Sequence, residues 1–243
     1  MPNLSAVLSV SYNMKQLIQI FFFITLIACT KKEAPVYYTM PANGFVKTWL
    51  ALGDSYTIGQ SVSEAERFPA QTANILKQSG INIGTPTYIA TTGWTTNNLM
   101  NSILSQNPGT YDVVSLLIGV NDQYQQHDTT GYRKRFTNLL TKAIQLADGK
   151  KENVFVLSIP DYSVTPFAAG SDTAQIRKEI DWFNAINKNV TADYNCPYLD
   201  ITPSTRDARN NRSLIATDGL HPSGAEYKRW AGMLAPLMLP VLK

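Results

Sequence analysis

Histidine and cysteine are scarce in this chain of 243 residues, which holds two of each: His127 and His221, Cys29 and Cys196. No two of the four lie at metal-ligand spacing, so a zinc centre of the usual Cys/His kind is excluded, as is a disulfide scaffold. Charge is sparse as well. Charged residues make up 16% of the chain and the net charge is only +3, too little of one sign for a nucleic-acid footprint. Long apolar runs are limited to Leu17–Ala28, which is too short to span a bilayer as a helix. Hydrophobic residues, in contrast, reach 44%. That excludes an intrinsically disordered chain and fits one sizeable domain with a substantial core. Any imidazole chemistry has two candidates.

The apolar run is preceded by Met14 and Lys15 and followed by Thr30-Lys31-Lys32-Glu33, which suits the hydrophobic region of a secretory signal better than a core helix. Its ending, Leu26-Ile27-Ala28-Cys29, resembles a bacterial lipobox, and the resemblance implies lipidation at Cys29. On this reading residues 1–28 are an over-extended start plus a lipoprotein signal, with Met14 the true start. Residues 29–46, with Pro35, Pro41 and Gly44, form a tether, and 47–243 form the domain. The expected location is extracytoplasmic, as a lipoprotein of the outer membrane or periplasm whose only membrane contact is its N-terminal anchor. Thr30 after the cysteine resembles outer-membrane sorting.

Strand and helix patterns alternate from there. Thr48–Leu52, Thr85–Ala90, Tyr111–Ile118, Asn153–Ile159 and Pro197–Ile201 read as strands. Helices are expected over Pro69–Ser79 and Asn97–Ser105, and over the strongly periodic stretch from Tyr132 to Ala147. Two more open on the capping-box patterns Asp172/Gln175 and Ser223/Glu226. Alternation of this kind predicts a parallel sheet covered on both faces. In such sheets ligands bind beyond the carboxyl ends of the strands.

Four polar clusters sit where that rule points. They are Gly53-Asp54-Ser55, Thr92-Gly93-Trp94-Thr95, Gly119-Val120-Asn121-Asp122 and Asp218-Gly219-Leu220-His221-Pro222. Any one of them also suits an ordinary turn. Together, in this order at strand ends, they point to a site. Elsewhere His127, in a polar stretch, reads as a surface histidine, and Asp161 as a turn residue. Asp54 and Asp122 read as residues that fix their loops. Trp94, Tyr124, Tyr162 and Phe167 are candidate cleft walls or packing residues.

The set Gly53-Asp54-Ser55, Gly93, Gly119-x-Asn121-Asp122 and Asp218-x-x-His221-Pro222 resembles the SGNH hydrolases, also called GDSL-type lipases and esterases. The resemblance implies an α/β fold, a three-layer α/β/α sandwich with a flavodoxin-like parallel sheet. It assigns Ser55 as nucleophile, His221 as general base and Asp218 as its orienting carboxylate. The oxyanion hole falls to the backbone N–H groups of Ser55 and Gly93 and the side-chain amide of Asn121. Tyr56 stands where the name-giving motif has Leu, and the Gly-x-Ser-x-Gly elbow of the α/β-hydrolases is absent, since Thr57 ends the motif.

The expected activity is serine ester hydrolysis through an acyl-enzyme, with no cofactor or metal and a small-molecule ester as partner. Short-chain or acetyl esters, carbohydrate O-acetyl groups among them, are expected because no segment is long enough for a lid domain. The alternatives are a long-chain lipase or lysophospholipase, an acyltransferase on the same site, and a tethered carbohydrate-binding module without catalysis. Oligomeric state is not legible.

Overall fold

Five runs rich in branched apolar residues become five parallel strands: β1 (Trp49–Gly53), β2 (Thr87–Ala90), β3 (Val113–Leu117), β4 (Val154–Leu157) and β5 (Tyr198–Leu199). The computed structural model describes residues 45–243. The signal-like run, the Leu26–Cys29 motif and all but the end of the expected tether lie outside the described residues. The strand order is β2-β1-β3-β4-β5. Helices α1 (Ser55–Ile58), α2 (Phe68–Gln78), α3 (Thr96–Gln106), α4 (Val120–Gln126), α5 (Tyr132–Leu146), α6 (Thr173–Asp193), α7 (Thr202–Arg206) and α8 (Gly224–Leu242) connect and cover the strands.

Burial explains the layering. Every residue of β1, β3 and β4 is buried, as expected of central parallel strands with helices on both faces. On one side α2 packs along α8, where Phe68, Tyr227 and Trp230 stack together. On the other, α5 packs against β3, α3 and α6, burying Tyr132, Phe136, Leu139, Leu140 and Ala143. The fold is therefore the expected three-layer α/β/α sandwich.

The register places the site. Gly53, the last residue of β1, is level with Leu117 at the end of β3 and with Ala90 at the end of β2. The segments after these three strands emerge side by side, where the strand order reverses between β1 and β3 and a crevice must open. Glycine is required at 53. A Cβ there would lie 2.1 Å from Thr57 Oγ1 and 2.4 Å from the Leu117 carbonyl oxygen, so only a bare backbone lets β1 turn into α1 this close to β3.

Some expectations need correction. The last strand shrinks to two residues, Tyr198–Leu199, because Asp200 ends it by accepting from Thr202 N–H (3.1 Å) and Ser158 Oγ (3.0 Å). Both capping boxes form only by half. Asp172 Oδ1 accepts from Gln175 N–H and Ser223 Oγ from Glu226 N–H, but neither return bond is made. The Gln175 side chain turns instead to Glu179, and that of Glu226 to Ser204 and Trp230.

Candidate active site

Asp54 caps α1, its Oδ1 accepting from Tyr56 N–H at 3.0 Å, and so fixes the turn that presents Ser55. As first residue of α1, Ser55 keeps a backbone N–H with no helical partner. The carboxyl of Asp54 is fully buried and its Oδ2 has no hydrogen-bond partner. Burial, reinforced by the nearby Asp122 charge and only partly offset by the Tyr56 N–H, pushes its pKa up to about 8.

Two further segments complete the rim. Gly93 adopts φ +83° and a Cβ there would meet open space. The left-handed backbone is what calls for glycine here. Asn121, in the first turn of α4, donates through Nδ2 to the Trp94 carbonyl at 3.0 Å. That bond fixes the amide and leaves its second N–H for the cleft. Asp122 faces inward, accepting from Thr96 N–H (2.8 Å) and Thr96 Oγ1 (2.6 Å), with Arg135 at 3.4 Å. It ties the start of α3 to the start of α4. Burial raises its pKa against the pull of the Thr96 bonds and Arg135.

The fourth segment carries the imidazole. Asp218 Oδ1 accepts from the backbone N–H groups of Leu220 (2.9 Å) and His221 (3.0 Å). Its Oδ2 lies 2.6 Å from His221 Nδ1 and also accepts from Ser61 Oγ at 2.7 Å. Partial burial pushes the Asp218 pKa up, but these hydrogen bonds outweigh it and hold the carboxyl at about 2. An ionised carboxylate only accepts, so Nδ1 carries the proton and Nε2 is left as a base. The Tyr56 ring, 4.9 Å between centroids, buttresses the imidazole from behind. Tyr56, at the position that departs from the family name, is therefore part of the support.

Ser55, Gly93, Asn121 and His221 share one cleft of about 120 Å³, closed by Thr92, Val120, Tyr124, Tyr162, Phe167 and Leu220. No hydrogen bond joins Ser55 to His221 among the described residues, and such contacts commonly tighten only when substrate is bound. Chemically, this is a hydroxyl, a base-competent imidazole held by a carboxylate, and unspent N–H donors on one wall.

Three of the four candidate cleft aromatics, Tyr124, Tyr162 and Phe167, line this cleft. Trp94 does not: its indole packs half-buried against the core, and only its carbonyl serves the site. His127 is exposed at the end of α4, yet its Nδ1 is anchored 3.1 Å from Glu179 Oε2, so it is more than a solvated surface residue. Asp161 keeps its turn, accepting from Ser163 N–H (2.9 Å), and also pairs with Arg206 Nε at 2.8 Å. Sequence reasoning missed Ser61, Gln123, Glu179 and Arg206, and gave Gln175 only a capping role. Ser61, Gln123 and Arg206 find partners far off in sequence, whereas Gln175 meets Glu179 one helical turn on. Among the described residues no three His, Cys, Asp or Glu side chains gather as a metal site, and no helix is long and apolar enough to cross a membrane.

The model of the GDSL-like lipase/acylhydrolase family matches residues 51–229, which contain all four segments. No curated protein sequence matches the chain. Among solved structures it is similar to a lipase/acylhydrolase from Enterococcus faecalis, with TM-score 0.60, 19% identity and coverage of 82% of this chain and 98% of that one. It also resembles phospholipase A1 from Streptomyces albidoflavus, with TM-score 0.61, 19% identity and coverage of 80% and 98%. An acetylxylan esterase from Geobacillus stearothermophilus gives TM-score 0.56, 19% identity and coverage of 82% and 95%. At such identities the similarity shows a shared fold.

Proposed function

The chain belongs to the GDSL-like lipase/acylhydrolase family and is a carboxylic ester hydrolase, and we propose that it works through an acyl-enzyme on Ser55 with short acyl groups as its preferred cargo. The observation that carries this reading is the 2.6 Å bond between Asp218 and His221 Nδ1, on the wall of the cleft that also holds Ser55. With Nδ1 committed to the carboxylate, Nε2 takes the Ser55 proton as Oγ attacks the ester carbonyl, and later returns it to the leaving alcohol. Negative charge on the carbonyl oxygen is met by the Ser55 and Gly93 N–H groups and the free N–H of Asn121. Water then repeats the sequence on the acyl-enzyme and releases the acid.

A fluorophosphonate probe tests the nucleophile. Ser55 in the wild-type protein is expected to be labelled, and Ser55→Ala to lose both labelling and at least about a thousandfold of kcat. Full labelling of the alanine variant would overturn the assignment. The small cleft favours acetyl to butyryl esters over a lipase substrate, and carbohydrate O-acetyl groups are one natural source of such esters. Location follows from Leu26-Ile27-Ala28-Cys29: a lipid on Cys29 would tether the enzyme outside the cytoplasm. Wild-type protein should then partition with membranes, and Cys29→Ser should release it or block its maturation. A wild-type protein found wholly soluble in the cytoplasm would refute the tether.

A further inference from the structure

Beyond the aromatic wall of the catalytic cleft lies a second, larger cleft of about 540 Å³. The two share Tyr124, Tyr162 and Phe167, so they are neighbouring compartments of one groove. The first is well below the 300–1,000 Å³ of ligand-sized pockets and the second is within it. An ester divides in the same way, into an acyl group at the nucleophile and an alcohol leading away from it. We propose that the cleft lined by Tyr124, His127, Phe167, Asp172, Gln175 and Glu179 holds the alcohol half of the substrate as a neutral oligosaccharide. This rests on the ester-hydrolase reading above.

The argument turns on which hydrogen-bonding groups remain available. Glu179 is almost completely buried, yet its carboxylate accepts from Gln123 Nε2 (2.6 Å), Gln175 Nε2 (2.7 Å) and His127 Nδ1 (3.1 Å). Burial pushes its pKa up, but these three bonds outweigh burial and leave the carboxyl below its ordinary value. An ionised Glu179 can only accept, which settles the orientation of its neighbours. The Gln175 amide spends an N–H inward and keeps its carbonyl oxygen. His127 spends its Nδ1–H and leaves Nε2 available, on a side chain that is 62% exposed. Asp172, with one oxygen on the Gln175 N–H, adds a second carboxylate. The cleft thus offers acceptors together with the second Gln175 N–H, and calls for a ligand that carries several hydrogen-bonding groups, as hydroxyls are.

The rim adds an apolar demand. Tyr124 and Phe167 are each about half exposed, at 50% and 48%, and exposed aromatics beside a catalytic cleft mark a contact surface. Their rings lie 6.0 Å apart, each about 6 Å from the buried Tyr162. Packed together, the trio forms a ridge for a flat ligand to cross. A pyranose ring meets both conditions, with hydroxyl donors on its edge and an apolar C–H face. A trimethylammonium alcohol, which has no N–H to donate, would meet only the second.

Calorimetry on the Ser55→Ala variant separates this inference from catalysis, since binding does not need the nucleophile. Xylotriose, cellotriose and chitotriose are the probes. At least one is expected to bind in the millimolar range or tighter, with affinity reduced at least fivefold by His127→Ala or Gln175→Ala. Failure of all three to bind overturns the inference, whether or not the chain hydrolyses esters. Kinetics provide the second arm. The ratio of kcat/KM for acetylated xylotriose to that for 4-nitrophenyl acetate should fall at least tenfold in His127→Ala, chiefly through KM. An unchanged ratio would mean that the His127–Glu179 pair serves only to join α4 to α6. A wild-type preference for acetylcholine over the acetylated sugar would assign the cleft to an ammonium alcohol instead. Inactivity on every ester, with sugar binding intact, would sink the hydrolase reading alone.

Discussion

Two carboxyls beside the same imidazole and hydroxyl are driven in opposite directions by their surroundings. Asp218, at the surface end of the site, collects donors and is held at about 2, whereas Asp54, sealed under Ser55, is pushed up to about 8. At neutral pH the first is an anion that orients His221 and the second is mostly a neutral acid. The arrangement suits the proposed mechanism, in which a buried anion beside Ser55 would oppose the negative charge that develops on the carbonyl oxygen. Stability carries the opposite signs. Asp218 stabilises the fold above its ordinary pKa near 4, and that contribution is lost as pH falls through about 2. Asp54 favours the fold below its ordinary value, and this is lost as pH rises from there through about 8. Between pH 5 and 7 the folded protein therefore holds close to one more proton at Asp54 than the unfolded chain does. Its contribution lowers the unfolding free energy by about 1.4 kcal/mol per pH unit. Asp54→Asn, which keeps the oxygen that caps Tyr56 N–H, should remove that slope when urea unfolding is followed across this range. Identical slopes in the two proteins would show that Asp54 is already ionised when folded. The sequence identified Asp54 as a loop-fixing residue, and its cap on Tyr56 fits that. Its pKa was not legible there, because it depends on Asp122 and on the core closing over it.

At the scale of elements, the glycine–helix junctions decide whether the site assembles. Gly119 ends the β3 turn with φ +127°, and a Cβ there would lie 2.1 Å from the Tyr132 hydroxyl. That hydroxyl is itself engaged, donating to Asn187 Oδ1 at 2.9 Å. Gly119→Ala must therefore displace the first turn of α4, which carries Asn121, or the start of α5, which carries Tyr132. Destabilisation of about 2 kcal/mol or more is expected, from backbone strain plus overlap. Activity should drop further than stability explains, because Asn121 moves with the turn. Tyr132→Phe added to Gly119→Ala removes the hydroxyl contact and should recover part of the activity but none of the φ strain. Thermal melts and kcat of the single and double variants check this, and an unaffected single variant would refute it. The long elements were legible because their apolar spacing is a local property; α5 was expected from Tyr132 to Ala147 and spans Tyr132–Leu146. The short α1, α4 and α7, each of two turns or fewer, were not expected. They are too brief for a period to show, and tertiary contacts create them. The two half-formed capping boxes make the same point, since Gln175 and Glu226 find better long-range or same-helix partners than the N-cap backbone.

The whole molecule sets the size of the substrate. The sheet brings the ends of β1, β2 and β3 level, so the catalytic cleft is shallow and its depth depends on the loops around it. One is the segment between β4 and α6. It folds into two short 3-10 turns, Tyr162–Val164 and Pro166–Ala168. It is also tied to the loop that carries Asp218 and His221, with Phe167 N–H donating to the Gly219 carbonyl at 3.0 Å. Tyr162 and Val120 wall the cleft from nearly buried positions, 4% and 5% exposed, and neither can swing away without opening the core. A cleft of about 120 Å³ with fixed walls suits an acyl group of a few carbons. Across a series of 4-nitrophenyl esters, kcat/KM should peak between acetate and butyrate and fall at least tenfold by decanoate. Phe167→Ala, which thins a wall that faces solvent, should shift the peak toward longer chains without abolishing fluorophosphonate labelling. A wild-type peak at decanoate or beyond would restore the lipase reading, and it would do so without touching Ser55 or His221. Under the proposed mechanism, chain length is selected by the walls, whereas bond cleavage depends on Ser55, His221 and the N–H donors beside them.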